Sequence, residues 1–354
     1  MQEKNDRFGW AIFSTMMMLL IPTAARPADA DPRADFLKLI DRPRVPLAVQ
    51  IKETDDKPPV AEFAFTYSSD KTDRVPGILV KRIGSFLGRR PVVIALHGTG
   101  GKKEDELPMM RTLAGEGFIA VAIDGRYHGA RITEGKGTEE YQDAILKAWR
   151  RGQVGKDLEH PFYYDTVWDV MRLIDYLSQR DDVDPSRIGL FGVSKGGIET
   201  YLTAAMDPRV AVAVPCIGME SFKWAVDHND WQGRIGTIQN AFDAAAKESH
   251  VPSPGAPFVR SFYARVAPSI DGEFDGPAIL SLIAPRPLLC INSDTDPHTP
   301  LGGVQVCMDA GTLAYSGMGV HDRIGFRIQP HTGHKVTDES KGAAVDWFVR
   351  WLNP

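Results

Sequence analysis

Arg187-Ile-Gly-Leu-Phe-Gly-Val-Ser-Lys-Gly-Gly-Ile198 is the stretch whose reading decides the fold. Ile188, Leu190, Phe191 and Val193 make a short apolar run of strand type, closed by Gly192-Val193-Ser194-Lys195-Gly196-Gly197. Beyond it Ile198, Tyr201, Leu202 and Ala205 recur at helical spacing, so the chain is expected to pass from strand to helix at Ser194. A G-x-S-x-G motif in that context is a nucleophile elbow. The serine sits on a sharp turn, with glycines two residues before and after it where strand and helix cross closely. The helix that starts there aims free backbone N–H groups at any anion formed nearby. A chance match is the competing reading in a chain with 33 glycines, and the flanking elements weigh against it.

The 354 residues, 43% hydrophobic and 25% charged, suffice for one large core or two domains. A net charge of −5 without any basic run argues against a nucleic-acid partner. The first thirty residues read separately from the rest. Lys4 and Arg7 precede an apolar segment from Gly9 to about Ile21, and Ala28-Asp-Ala30 is an A-x-A-like cleavage site. Residues 1–30 are therefore expected to be a secretory signal peptide, cleaved after Ala30, with residues 31–354 as the mature, exported protein (periplasmic or secreted). An uncleaved anchor is the alternative, but the segment is short against the ~20 residues of a span, so no stable membrane insertion is expected after cleavage. Cys216, Cys290 and Cys307 are too few and too scattered for a disulfide framework and read as small buried hydrophobes.

Residues 31–59, rich in proline and charge, read as a leader packed on the surface. Residues 61–67 and 75–81 read as antiparallel strands. Buried strands at 91–96, 118–123, the elbow, 210–215, 287–292 and 324–328 then alternate with helices at 105–116, 161–180 and 341–352. This is the α/β class: a mostly parallel central sheet with helices on both faces. From about 218 to 285 the alternation breaks, over a length too great for an ordinary connection. That segment is expected to be a helical lid insertion over the strand ends, with Phe222, Trp224 and Trp231 as candidate substrate-binding aromatics. For each of them, packing of the insertion onto the body is the competing reading.

A serine hydroxyl needs a base, and the base an orienting carboxylate. Behind an elbow these follow in the order Ser, Asp/Glu, His. Two later strands run into Ser293-Asp-Thr-Asp-Pro-His-Thr-Pro300 and Gln329-Pro-His-Thr-Gly-His-Lys335, just past strand ends where open α/β sheets place their sites. These phrases, with His97-Gly-Thr-Gly-Gly101 after a strand and Asp184-Pro-Ser-Arg-Ile-Gly189 before the elbow, resemble the α/β-hydrolase superfamily over roughly residues 90 to 352. The resemblance is nearest to its dienelactone hydrolase, acetyl-xylan esterase and prolyl-oligopeptidase-like branches.

The resemblance implies Ser194 as nucleophile, Asp296 as acid with Asp294 as alternative, and His334 as base with His331 as alternative. It implies an oxyanion hole from the backbone N–H of Lys195 with that of Thr99, or of Gly100 if the loop is shifted. The function expected is hydrolysis of small-molecule carboxylic esters through an acyl-serine intermediate, with no cofactor. A serine peptidase, or a non-catalytic binding protein on the same fold, are the alternatives. Asp294, Asp296, His298, His331 and His334 could also be read as metal ligands, which would leave the elbow unexplained. Asp124-Gly-Arg-Tyr-His-Gly-Ala-Arg131 reads either as a site-shaping loop or as a polar turn whose arginines pair with acids. The Lys195 side chain is expected to pair with an acid or, alternatively, to meet an anionic substrate group.

Overall fold

Why the strands sit where they do is visible in their side-chain alternation. In the computed structural model, which describes residues 31–84, 88–152 and 159–354, β1 (Gln50–Lys57), β2 (Val60–Ser68) and β3 (Arg74–Arg82) precede β4 (Arg90–Leu96) and β5 (Ile119–Ile123). There follow β6 (Val183–Val193), β7 (Val210–Cys216), β8 (Leu288–Ser293) and β9 (Ile324–Gln329). Among the described residues these form one nine-stranded sheet in the order β1-β2-β3-β5-β4-β6-β7-β8-β9. The first three strands are antiparallel, β3 meets β5 antiparallel, and every later pairing is parallel.

Because successive side chains leave a strand on opposite faces, Val92, Ile94 and Leu96 of β4 with Ile188 and Leu190 of β6 enter the core on one side. Val93, Ala95 and Phe191 enter a second core on the other. The first core holds the helices Tyr164–Leu177 and Lys195–Met206, and the second holds Leu107–Gly115 and Asp338–Leu352. Both faces are thus covered, as buried parallel strands require.

The 31–59 stretch is not the surface leader expected from its composition. It forms the helix Pro32–Ile40 and then β1. Phe36 and Ile40, four residues apart on one helix face, are buried, with Phe36 edge-on to Tyr164 at 4.7 Å and Phe274 at 5.0 Å. Arg33 ties the same helix down by donating to the carbonyls of Ala205 at 2.8 Å and Leu282 at 2.6 Å. Two further helices, Glu139–Arg151 and Leu301–Gly317, were not anticipated.

Residues 218–285 carry five short helices, Phe222–Asp227, Gln232–Gly236, Gln239–Glu248, Ala256–Val266 and Gly276–Ile283, between β7 and β8. All three cysteines are buried free thiols. Residues Pro32–Pro354 form one compact unit, and among the described residues no helix is long and apolar enough to cross a membrane. The signal-peptide reading concerns residues 1–30, which lie outside the described residues.

Candidate active site

Parallel pairing of Leu96 with Gly192 and of Val193 with Cys216 brings the ends of β4, β6 and β7 to one edge of the sheet. Ser194 follows β6 at φ 57° and ψ −115°, a conformation L-residues rarely adopt. It is held there because its N–H donates to the Cys216 carbonyl at 2.9 Å while its own carbonyl accepts from Ile198 N–H at 3.0 Å. The two flanking glycines are steric necessities. A Cβ on Gly192 would lie 2.1 Å from the Gly196 oxygen, and one on Gly196 would lie 2.1 Å from the Leu96 oxygen.

The structure brings Ser194, His334 and Asp296 into one hydrogen-bonded chain. Ser194 Oγ lies 2.7 Å from His334 Nε2, and His334 Nδ1 lies 2.7 Å from Asp296 Oδ2. A neutral ring that donates from Nδ1 and accepts at Nε2 satisfies both contacts. Asp296 also accepts from His298 N–H at 2.8 Å and Thr299 Oγ1 at 2.7 Å. Burial pushes its carboxyl upward, but the donors from His334, Thr299 and His298 outweigh burial and hold it below the usual carboxylate range. Neither alternative joins this hydrogen-bonded chain. Asp294 accepts from the backbone N–H groups of His331 at 2.9 Å and Thr332 at 3.2 Å, so it joins the two loops. His331 is exposed.

The 97–101 loop runs beside the serine, since a Cβ on Gly98 would lie 3.5 Å from Ser194 Cβ. Lys195 opens its helix, so its N–H is one of the donors a helix leaves free. His97 clamps the loop. Its Nδ1 donates to the Gly98 carbonyl at 2.7 Å and its Nε2 accepts from Gly125 N–H at 3.0 Å. Burial, with the charge of Lys195 adding to it, lowers His97 to about 4, which keeps the ring neutral as that tautomer requires. Asp105 caps the far side of the loop, accepting from Lys102 N–H at 2.9 Å.

The Lys195 side chain turns inward. Its Nζ lies 2.5 Å from Glu199 Oε1, and each side chain is 1% exposed, so the pairing reading fits and an anionic substrate group has no access to it. The 124–131 stretch likewise folds onto acids. Asp124 takes Lys103 Nζ at 2.8 Å. Arg126 donates to Asp169 and Asp70 at 3.0 Å each, and Arg131 donates to Asp169 at 2.7 Å and to Asp73.

A cavity of about 1000 Å³ opens on Ser194. Thr99, Ile217, Thr237, His298 and His334 line it with the serine, and so do Glu106, Met109, Phe191 and Val345. The three aromatics expected to bind substrate do not line it. Phe222 is buried against Tyr163 and Tyr263, Trp231 is buried against Phe242, and Trp224 lies on Gly302 and stacks on His228. The reason is the density of aromatics within the insertion, which pack on one another and on the body first. The insertion reaches the site instead through Thr237, and through Gly233, where a Cβ would meet the Pro297 oxygen at 1.6 Å.

Glu106 and His298 were not singled out as cavity residues. His298 is held 4.4 Å from His334, ring to ring. A histidine two residues after the candidate acid was the available signal for it; Glu106 carried none.

The sheet order, the elbow and the strand-end placement of these side chains define an α/β-hydrolase. Residues 26–231 match the profile of the acetyl xylan esterase (AXE1) family, and the chain belongs to it. Residues 156–319 match the profile described as glucuronyl esterase, fungi. A putative hydrolase, YtaP, of Bacillus subtilis is 32% identical over 187 residues, 52% of this chain and 53% of that protein. A 4-O-methyl-glucuronoyl methylesterase of Neurospora crassa is 27% identical over 194 residues, 52% of this chain and 46% of that protein. The chain thus spans about half the length of the curated relatives it matches. The solved acetyl xylan esterase from Paenibacillus sp. R4 superposes with a TM-score of 0.63 at 20% identity, covering 87% of this chain and 90% of that one. At that identity the likeness is one of fold.

Proposed function

We propose that this protein is an exported serine hydrolase that cleaves carboxylic esters, those of carbohydrates foremost, through an acyl-serine intermediate. The observation that carries the reading is the hydrogen-bonded chain from Ser194 through His334 to Asp296 at the mouth of the cavity. The printed names of the relatives, acetyl xylan esterase and glucuronoyl methylesterase, support the substrate class.

In this mechanism His334 Nε2 takes the Ser194 proton as Oγ attacks the ester carbonyl, and Asp296 steadies the imidazolium that forms. The N–H groups of Lys195 and Thr99 hold the tetrahedral oxyanion, usually the largest single contribution to such a rate. Collapse expels the alcohol, which leaves with the proton from His334. The same ring then activates water to release the acid. The 218–285 insertion meets the site at Thr237 and there limits what enters. Residues 1–30 direct export and are removed.

The test is residues 31–354 treated with a fluorophosphonate probe and with a panel of esters of rising acyl length, acetylated sugars and peptide amides included. Labelling at Ser194 with turnover of esters is expected. An unlabelled Ser194 and no turnover would sink the enzyme reading, and faster amide than ester cleavage would turn it toward a peptidase.

A further inference from the structure

Glu106 lines the same cavity as Ser194, yet the mechanism above does not use it. The residue is 7% exposed. Among the described residues no hydrogen bond or ion pair reaches its carboxyl. Apolar side chains, Pro108, Met109, Phe191, Val193 and Val345, share the cavity lining with charged ones. Mostly buried and with no protein donor of its own, the carboxyl keeps its oxygens open to the cavity, where a group that enters can satisfy them. The groups around it narrow what that group can be. Asp105, Asp338 and Asp346 line the same cavity and disfavour an anion. Lys335 and Lys341 line it too and disfavour a cation.

What fits is a neutral group that both donates and accepts. Burial, with the charge of Asp105 adding and that of Lys341 opposing, raises Glu106 to about 7. Near neutral pH the carboxyl can therefore give or take a proton in a hydrogen bond, which matches a hydroxyl in either sense.

We propose that Glu106 determines specificity by hydrogen-bonding a free hydroxyl on the alcohol part of the ester substrate, as a partly acylated sugar would present. This rests on the esterase reading above. The test compares kcat/KM for a monoacetylated methyl xyloside with that for cyclohexyl acetate, which has a six-membered ring and the same acyl group but no hydroxyl. Wild type, Glu106→Leu, Glu106→Met and Glu106→Gln are measured.

A site built around a hydroxyl discriminates strongly against its absence. Wild type is therefore expected to prefer the xyloside. Leu and Met should each lower that preference by about tenfold or more, and Gln, which still donates and accepts, should retain most of it. Met stands in if the Leu variant does not fold. Equal losses on both esters, an unchanged ratio, or a wild type without preference would each overturn the proposal. Absence of all ester turnover together with an unlabelled Ser194 would instead remove the esterase reading beneath it.

Discussion

The Ser194 hydroxyl and the Asp296 carboxylate are each 2.7 Å from opposite nitrogens of the His334 ring, so on the proposed mechanism none of the three works without the others. Ser194→Ala and His334→Ala are each expected to lower kcat by roughly 10³ or more, with little added loss in the double variant. Losses that multiply in steady-state kinetics would show that the two do not act as a unit. Asp296→Asn should be similarly crippling and Asp294→Asn should not, because the latter contacts only the backbone of the neighbouring loop.

Glu106 offers a second prediction at this scale, through pH. A carboxyl raised in the folded state from 4.5 to about 7 contributes stability that is full below 4.5 and is lost as pH rises through about 7. Glu106→Gln removes that loss. The stability of the variant relative to wild type should therefore climb between pH 4.5 and 7, read from urea midpoints at several pH values. Glu220, also raised to about 7 by burial, is common to both proteins and cancels. A stability difference that stays flat with pH would show that Glu106 does not titrate there.

The elbow helix carries a buried ion pair on its first turns, and its value is best seen by breaking it. Lys195→Met leaves Glu199 buried without its cation and is expected to cost about 3–5 kcal/mol of folding stability. Lys195→Met with Glu199→Gln should recover much of this, and denaturant unfolding of the set would show it. A double variant as unstable as the single one would mean that the pair matters through packing alone. The elements differ in how openly their residues announce them. β4, β5, β7 and β8 are short, continuous apolar runs bounded by turns, and the strand-to-helix switch at Ser194 is plain in the residues around it. The helix Glu139–Arg151 has Tyr141, Ala144, Ile145, Ala148 and Trp149 on its buried face, but charged residues dominate its composition and conceal that stripe. In Leu301–Gly317 four glycines interrupt the helical signal, and three of them face side chains from elsewhere: Gly302 and Gly303 under Trp224 and Gly311 against Ile324. The Ser, Asp and His candidates were legible because each follows a strand end in the expected order. The cavity beside them was not, because part of its lining comes from the Leu107–Gly115 and Asp338–Leu352 helices, far apart in the chain.

Across the whole molecule, the insertion is fastened to the body by its aromatics rather than poised over the serine by them. Trp231→Ala is expected to cost ~3–5 kcal/mol, the scale of a buried aromatic, with the preferred ester size unchanged. A shift of acyl preference at near-wild-type stability would return Trp231 to the substrate pocket. The three buried thiols lend themselves to following such losses. Cys216 on β7, Cys290 on β8 and Cys307 on the Leu301–Gly317 helix are all buried, and burial raises each above the ordinary thiol value. Each therefore withholds the thiolate that alkylating reagents attack. In the folded protein they should stay silent, and their modification then counts openings of the β7–β8 half of the sheet. The chain thus carries its own clock for unfolding, one that needs no introduced cysteine.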